Sequence, residues 1–184
     1  MGVSLLALWL PIIVAAVIVF IAGFILNTVL PHHRTDFARL PDEDKVREAT
    51  QGLAQGQYIY PYASTPAEMK DPALIEKAKA GPVGMLVVWP NGVGPTPKQL
   101  ITHFVYVLVI SLFAGYIGSA SLEAGTEYLK VFQVVGASAF LGYAGAVPLF
   151  SIWYHTTWSF TVKELIDGLV YALLTAGTFG WLWP

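Results

Sequence analysis

Four stretches of the chain are apolar over membrane-scale lengths, and most of its charged and proline residues lie between the first two. Residues 3–30 contain no charged side chain. As a helix rising about 1.5 Å per residue they would run roughly 42 Å, longer than the ~30 Å hydrocarbon core, so this span must tilt or rest its first turns in the interface. A secretory leader fits badly, because no Lys or Arg precedes the apolar run and the run far exceeds a leader's core. We read it as a retained span. Residues 101–120, 131–153 and 165–183 are the other three, with Pro148 a kink near the end of the third and Trp181 and Trp183 at the far interface of the fourth. The expected fold is therefore an α-helical membrane protein of four transmembrane helices, with a mixed α/β insert at 31–100.

Small residues recur every four positions in three of these spans: Ser111, Gly115 and Ser119; Ser138, Gly142 and Ala146; Gly168, Ala172, Ala176 and Gly180. Leaving lipid gains apolar side chains little, so helix association depends on close backbone approach at such positions. The strips predict a compact bundle.

In the insert, Pro41-Asp42-Glu43-Asp44 opens a short helix to about Leu53, its acids over the N-terminus. Asp71-Pro72 opens another to about Ala80, ended by Gly81-Pro82. Residues 57–62 and 83–89 read as strands that pair, and Asn91-Gly92-Val93-Gly94-Pro95 is a turn-rich return to the membrane. Two strands and two short helices bury little alone. Tyr58, Tyr60, Tyr62 and Trp89 would either dock the insert on the membrane or a partner, or form its own small core.

Orientation follows from the basic residues. Eight of the ten Lys and Arg lie in 31–100, Lys163 is at the same level, and only Lys130 falls on the other side. Positive charge is retained in the cytoplasm, which places the insert there and both termini in the periplasm of a bacterial inner membrane. Composition agrees with a lipid-solvated chain: hydrophobic residues make up 55% and charged residues 12%. A net charge of −2 without a basic stripe argues against nucleic acid. The chain has no Cys, which excludes disulfides, thiolate catalysis and Cys-ligated metal.

All four histidines fall at the inferred cytoplasmic end. His32 and His33 follow the first span, His103 lies a turn inside the second, and His155 follows the third, with Asp36, Glu164 and Asp167 at the same depth. Imidazole and carboxylate from separate helices are what a metal or proton-handling site needs, so His32, His33, Asp36, His155 and Asp167 are its candidates. The competing reading is that such groups simply prefer the wet interface. Asp167, just inside the fourth apolar run, is expected to pair with Lys163 or His155. His103 is the candidate axial ligand for a haem or chlorophyll, although no second histidine stands at its depth. No cofactor is otherwise expected. Phosphate loops, nucleophile elbows and zinc-protease motifs are missing.

The run Pro31-His32-His33-Arg34-Thr35-Asp36 into Leu40-Pro41-Asp42-Glu43-Asp44, then Gly56-Gln57-Tyr58 and Gly81-Pro82-Val83-Gly84-Met85, with the ending Gly180-Trp181-Leu182-Trp183-Pro184, resembles a family of uncharacterised bacterial integral membrane proteins. The resemblance implies a shared four-span fold and no activity. The expected function is a non-enzymatic accessory or structural subunit of a larger bacterial membrane complex, respiratory or photosynthetic assemblies being examples, with other membrane subunits as partners. The alternative is a small membrane enzyme or metal/proton-handling protein using the His/carboxylate cluster.

Overall fold

The computed structural model describes residues 2–92 and 94–184; Val93 of the turn-rich return and Met1 at the start of the first span lie outside them. Contacts divide the chain into two units, one of Arg39–Gly94 and the other of the flanking residues.

The flanking residues form a bundle of long helices. The first begins as a 3-10 turn (Leu5–Leu8), continues as α1 (Trp9–Phe24) and ends in a π-turn (Ile25–Val29) before a second 3-10 turn, Pro31–Thr35. Later come α4 (Pro97–Ser121), α5 (Tyr128–Ala144), α6 (Pro148–Tyr154) and α7 (Trp158–Trp181), the labels α2 and α3 belonging to the other unit. Three helices are long and apolar enough to cross a membrane: Leu5–Val29, Pro97–Ser121 and Tyr128–Tyr154. Helix α7 is not among them, because Lys163, Glu164 and Asp167 fall within its first three turns.

Three boundaries differ from the hydrophobic pattern. Helix α4 begins before residue 101, because Thr96 and Gln99 close a capping box: Gln99 N donates to Thr96 Oγ1 at 3.3 Å and Thr96 N to Gln99 Oε1 at 2.7 Å. Helix α7 begins at Trp158 rather than 165, capped by Thr157, whose hydroxyl accepts from Phe160 N at 3.4 Å. The expected loop at 155–164 therefore shrinks to three residues, and Lys163 and Glu164 are helical. The third stretch breaks at 145–147, where tighter i−3 bonds such as Val147 N to Ala144 O take over ahead of Pro148, which has no N–H to give.

The α5–α7 seam is built from small residues. A Cβ on Gly168 would stand 2.8 Å from Ala144 Cβ, and one on Gly136 3.0 Å from Ala176 Cβ. On α4, Ser111 donates to Ile12 O at 2.9 Å, and a Cβ on Gly115 would come within 3.1 Å of the buried Phe179 ring. The strips named above are used unequally. Ala172, Ala176 and Gly168 are buried, and Gly180 lies under the Tyr128 ring. Ser119 is half-buried beside Gly118, which takes the close contact with Val135 and Trp183. Ser138 bonds its own helix at Val134 O, Gly142 meets Ile110, and Ala146 is exposed; the close approaches of α5 to α7 are instead at Gly136 and Ala144. A four-residue spacing marks a row on a helix without saying which neighbour that row meets.

One end of the bundle is tied by Gly2 bridging to Glu123, Gly125 N donating to Pro184 O at 2.7 Å, and Trp183 Nε1 donating to Glu123 O at 3.0 Å. At the other end, residues 32–36 meet the start of α7.

In Arg39–Gly94, β1 (Gly56–Tyr60) and β2 (Gly84–Val88) pair antiparallel, Tyr58 opposite Leu86, with α2 (Glu43–Thr50) ahead of β1 and α3 (Pro72–Ala80) between the strands in sequence. Asp71 caps α3 by accepting from Ala73 N at 2.9 Å, and Gly81 ends it at φ 65°, a conformation that costs glycine nothing. Among the described residues of this unit none is buried. Tyr58 is half-buried, with its hydroxyl donating to Ala54 O at 2.9 Å, and the Tyr60 ring covers Gly84. Tyr62 and Trp89 stay exposed.

Candidate functional site

Two features of the sequence meet where the first helix ends. The π-turn lets Leu30 N reach Ile25 O at 3.0 Å, and Pro31, which fits the first position of a helical turn, starts the 3-10 turn that carries His32 and His33. From α7, the i, i+4 pair Lys163 and Asp167 sits on one face, one turn apart.

These side chains interlock. His32 Nε2 lies 3.1 Å from Asp167 Oδ1 and His33 Nε2 lies 3.0 Å from Asp167 Oδ2. His33 Nδ1 lies 2.5 Å from Asp36 Oδ2, and Lys163 Nζ donates to Asp36 Oδ1 at 2.5 Å and to Thr35 Oγ1 at 2.8 Å. Both carboxylates are 3% exposed, which rules out bulk water as their main partner. The two imidazole rings stand 4.1 Å apart.

Both nitrogens of His33 face carboxylate oxygens, so the ring fills both bonds only as a doubly protonated imidazolium. Burial alone would lower its pKa, but the bonds to Asp167 and Asp36 outweigh that and raise it above 6.5. Asp36 moves the other way. Its burial is overridden by Lys163 and then His33, which hold it below the ordinary carboxylate value. His33 and Asp36 also line a cleft of about 320 Å³ together with Arg34, Phe160 and Glu164.

Of the five candidates read from the sequence, the structure gathers His32, His33, Asp36 and Asp167. His155 is elsewhere: it caps the end of α6 in the left-handed conformation, φ 56°, and is exposed. Asp167 pairs with the two histidines and not with Lys163 or His155; Lys163 goes to Asp36 instead. His103 lines a larger cavity of about 780 Å³ with Tyr143 and Tyr171, and Asn27, Thr28 and Glu164 line both it and the cleft. Lys163 was visible as a basic residue but not as a member of the cluster, because its place depended on α7 starting early.

One ligand atom from each of His32, His33 and Asp167 lies within 4.8 Å of the others, a spacing from which a metal ion can be held. Bonds of about 2.0–2.1 Å to a tetrahedral ion put ligand atoms roughly 3.3 Å apart, close to the two N···O distances already present. Compared with family models, curated proteins and solved structures, the chain matches none.

Proposed function

We propose that this chain is a four-span protein of a bacterial cytoplasmic membrane whose His32–His33–Asp167 cluster holds a divalent transition cation at the cytoplasmic end. One observation carries the metal reading. Two imidazoles aim Nε2 at opposite oxygens of one buried carboxylate, while His33 turns its other nitrogen to Asp36. An ion would displace the Nε2 proton that His33 carries in its absence and leave Nδ1–H on Asp36; a carboxylate behind a histidine fixes the ring of a metal ligand and raises its basicity. Two nitrogens and one carboxylate suit zinc or ferrous iron and leave positions for water or substrate. The chemistry available is Lewis-acid activation of a water, or proton handling, beside the cleft that Glu164 lines.

Supporting the fourth span, α7 has 24 residues, about 36 Å of helix, and carries no charge after Asp167. Metal content decides the metal reading. Protein purified without added metal is expected to carry about one zinc or iron per chain by plasma mass spectrometry, lost in Asp167→Asn and His32→Gln. Folded wild-type protein that carries no metal, and takes up added Zn²⁺ no better than Asp167→Asn, would sink it.

A second reading is an accessory subunit of a larger membrane assembly. It is favoured by the unit Arg39–Gly94, which buries none of its described residues and exposes Ile59, Met85 and Val87 on one sheet face beside Tyr62 and Trp89. Purification in mild detergent is then expected to bring stable partner subunits at fixed ratio. Recovery of the chain alone at every detergent concentration would remove that reading.

A further inference from the structure

The larger cavity, about 780 Å³ among the first helix, α4, α5 and α7, falls within the size range of small-molecule sites. Phe20 and Phe24 give it aromatic walls. Besides Glu164, three polar side chains lining it have hydrogen-bonding capacity that the described residues leave unused. Tyr143 Oη is buried and, among the described residues, has no hydrogen-bond partner in bonding geometry, with the Thr175 hydroxyl its nearest polar neighbour. Tyr171 Oη accepts from Asn27 Nδ2 at 3.3 Å and keeps its own proton. Among the described residues His103 makes ring contacts and no hydrogen bond, its centroid 5.6 Å from that of Phe20. Gly23 lets two of these converge: a Cβ there would lie 3.3 Å from Tyr171 Oη and 3.5 Å from His103 Nε2.

Unmet donors between apolar helices are costly, and water entering a mostly apolar chamber is a poor remedy. An acyl chain would fill the space and satisfy none of them. A flat ring with carbonyl oxygens would stack on the phenyl walls and accept from more than one donor. We infer that this cavity binds a lipid-soluble, carbonyl-bearing ring compound, the chemical class of the isoprenoid quinones, with one oxygen on Tyr143 and another at the His103–Tyr171 pair. The inference rests on the membrane reading and uses none of His32, His33 and Asp167, although Glu164 lines both this cavity and the cleft beside them.

The test uses the full chain purified in dodecyl maltoside. Its organic extract is expected to hold a quinone at near one per chain by chromatography with ultraviolet detection. Decylubiquinone added to extracted protein is expected to raise the unfolding temperature. Tyr143→Phe keeps the ring and drops only the oxygen, so it should fold and keep its metal while binding decylubiquinone about tenfold more weakly. His103→Gln should weaken binding similarly. An extract containing only phospholipid, no shift with decylubiquinone in cooperatively unfolding wild-type protein, or wild-type affinity in Tyr143→Phe would each overturn the inference. A chain found in the soluble fraction would overturn the membrane reading instead.

Discussion

His33 Nε2 and Asp167 Oδ2 meet at 3.0 Å although 134 positions separate the two residues. That contact, with the one from His32, fastens the turn after the first helix to the third turn of α7. Asp36, Lys163 and Thr35 back it from the same two elements.

Breaking the backing pair is expected to cost stability. Asp36→Asn leaves Lys163 and the His33 imidazolium short of one negative charge. The pair borders an open cleft, so the loss should fall between the about 0–1 kcal/mol of a surface pair and the about 3–5 kcal/mol of a buried one. The control is Glu76→Gln, whose pair with Lys79 is about 70% exposed on both sides, and no measurable change is expected. Thermal unfolding in detergent compares the two.

Stability of chelator-treated protein should depend on pH in two directions. His33 has a folded pKa above 6.5, so its contribution is full below pH 6.5 and is lost as pH rises through the folded value. Asp36 has a folded pKa below 3.8, so its contribution is full above pH 3.8 and is lost as pH falls through the folded value. The unfolding temperature should therefore be highest between these limits and decline on the alkaline side. His33→Gln should flatten that alkaline decline. A wild-type profile still rising above pH 8 would contradict it.

The α5–α7 seam should tolerate added volume at one row and not at the next. Gly168→Leu forces a side chain against Ala144 and is expected to destabilise by about 1–3 kcal/mol. Ala146→Leu, on the exposed break, should leave the unfolding temperature unchanged. Equal losses in both variants would mean that the helices pack by another row.

Topology can be checked by single cysteines, since the chain has none of its own. In intact cells a membrane-impermeant maleimide should label Ala124→Cys and a cysteine appended after Pro184. Glu48→Cys should label only after the inner membrane is opened. With three spans rather than four, Ala124→Cys and the appended cysteine would label from opposite sides.

The hydrophobic pattern alone determined that long apolar helices exist and roughly where they run, because lipid-length runs without charge admit few alternatives. Short-range chemistry likewise placed α3 and the strand pair, since Asp71-Pro72, Gly81 and the aromatic, β-branched runs act on their immediate neighbours. Helix starts needed more. Thr96 and Thr157 are ordinary threonines until their hydroxyls meet the amides three residues on, and the Thr157 cap drew Lys163 into a helix. Only the tertiary structure separated the histidines into three environments: His32 and His33 on Asp167, His103 beside an aromatic cavity, and His155 at an exposed helix end. The physical reason is distance along the chain. Periodicity reports which residues share a face of one helix, whereas the cluster joins residues 32–36 to 163–167, and that meeting is set by how α7 packs against α1 and α5.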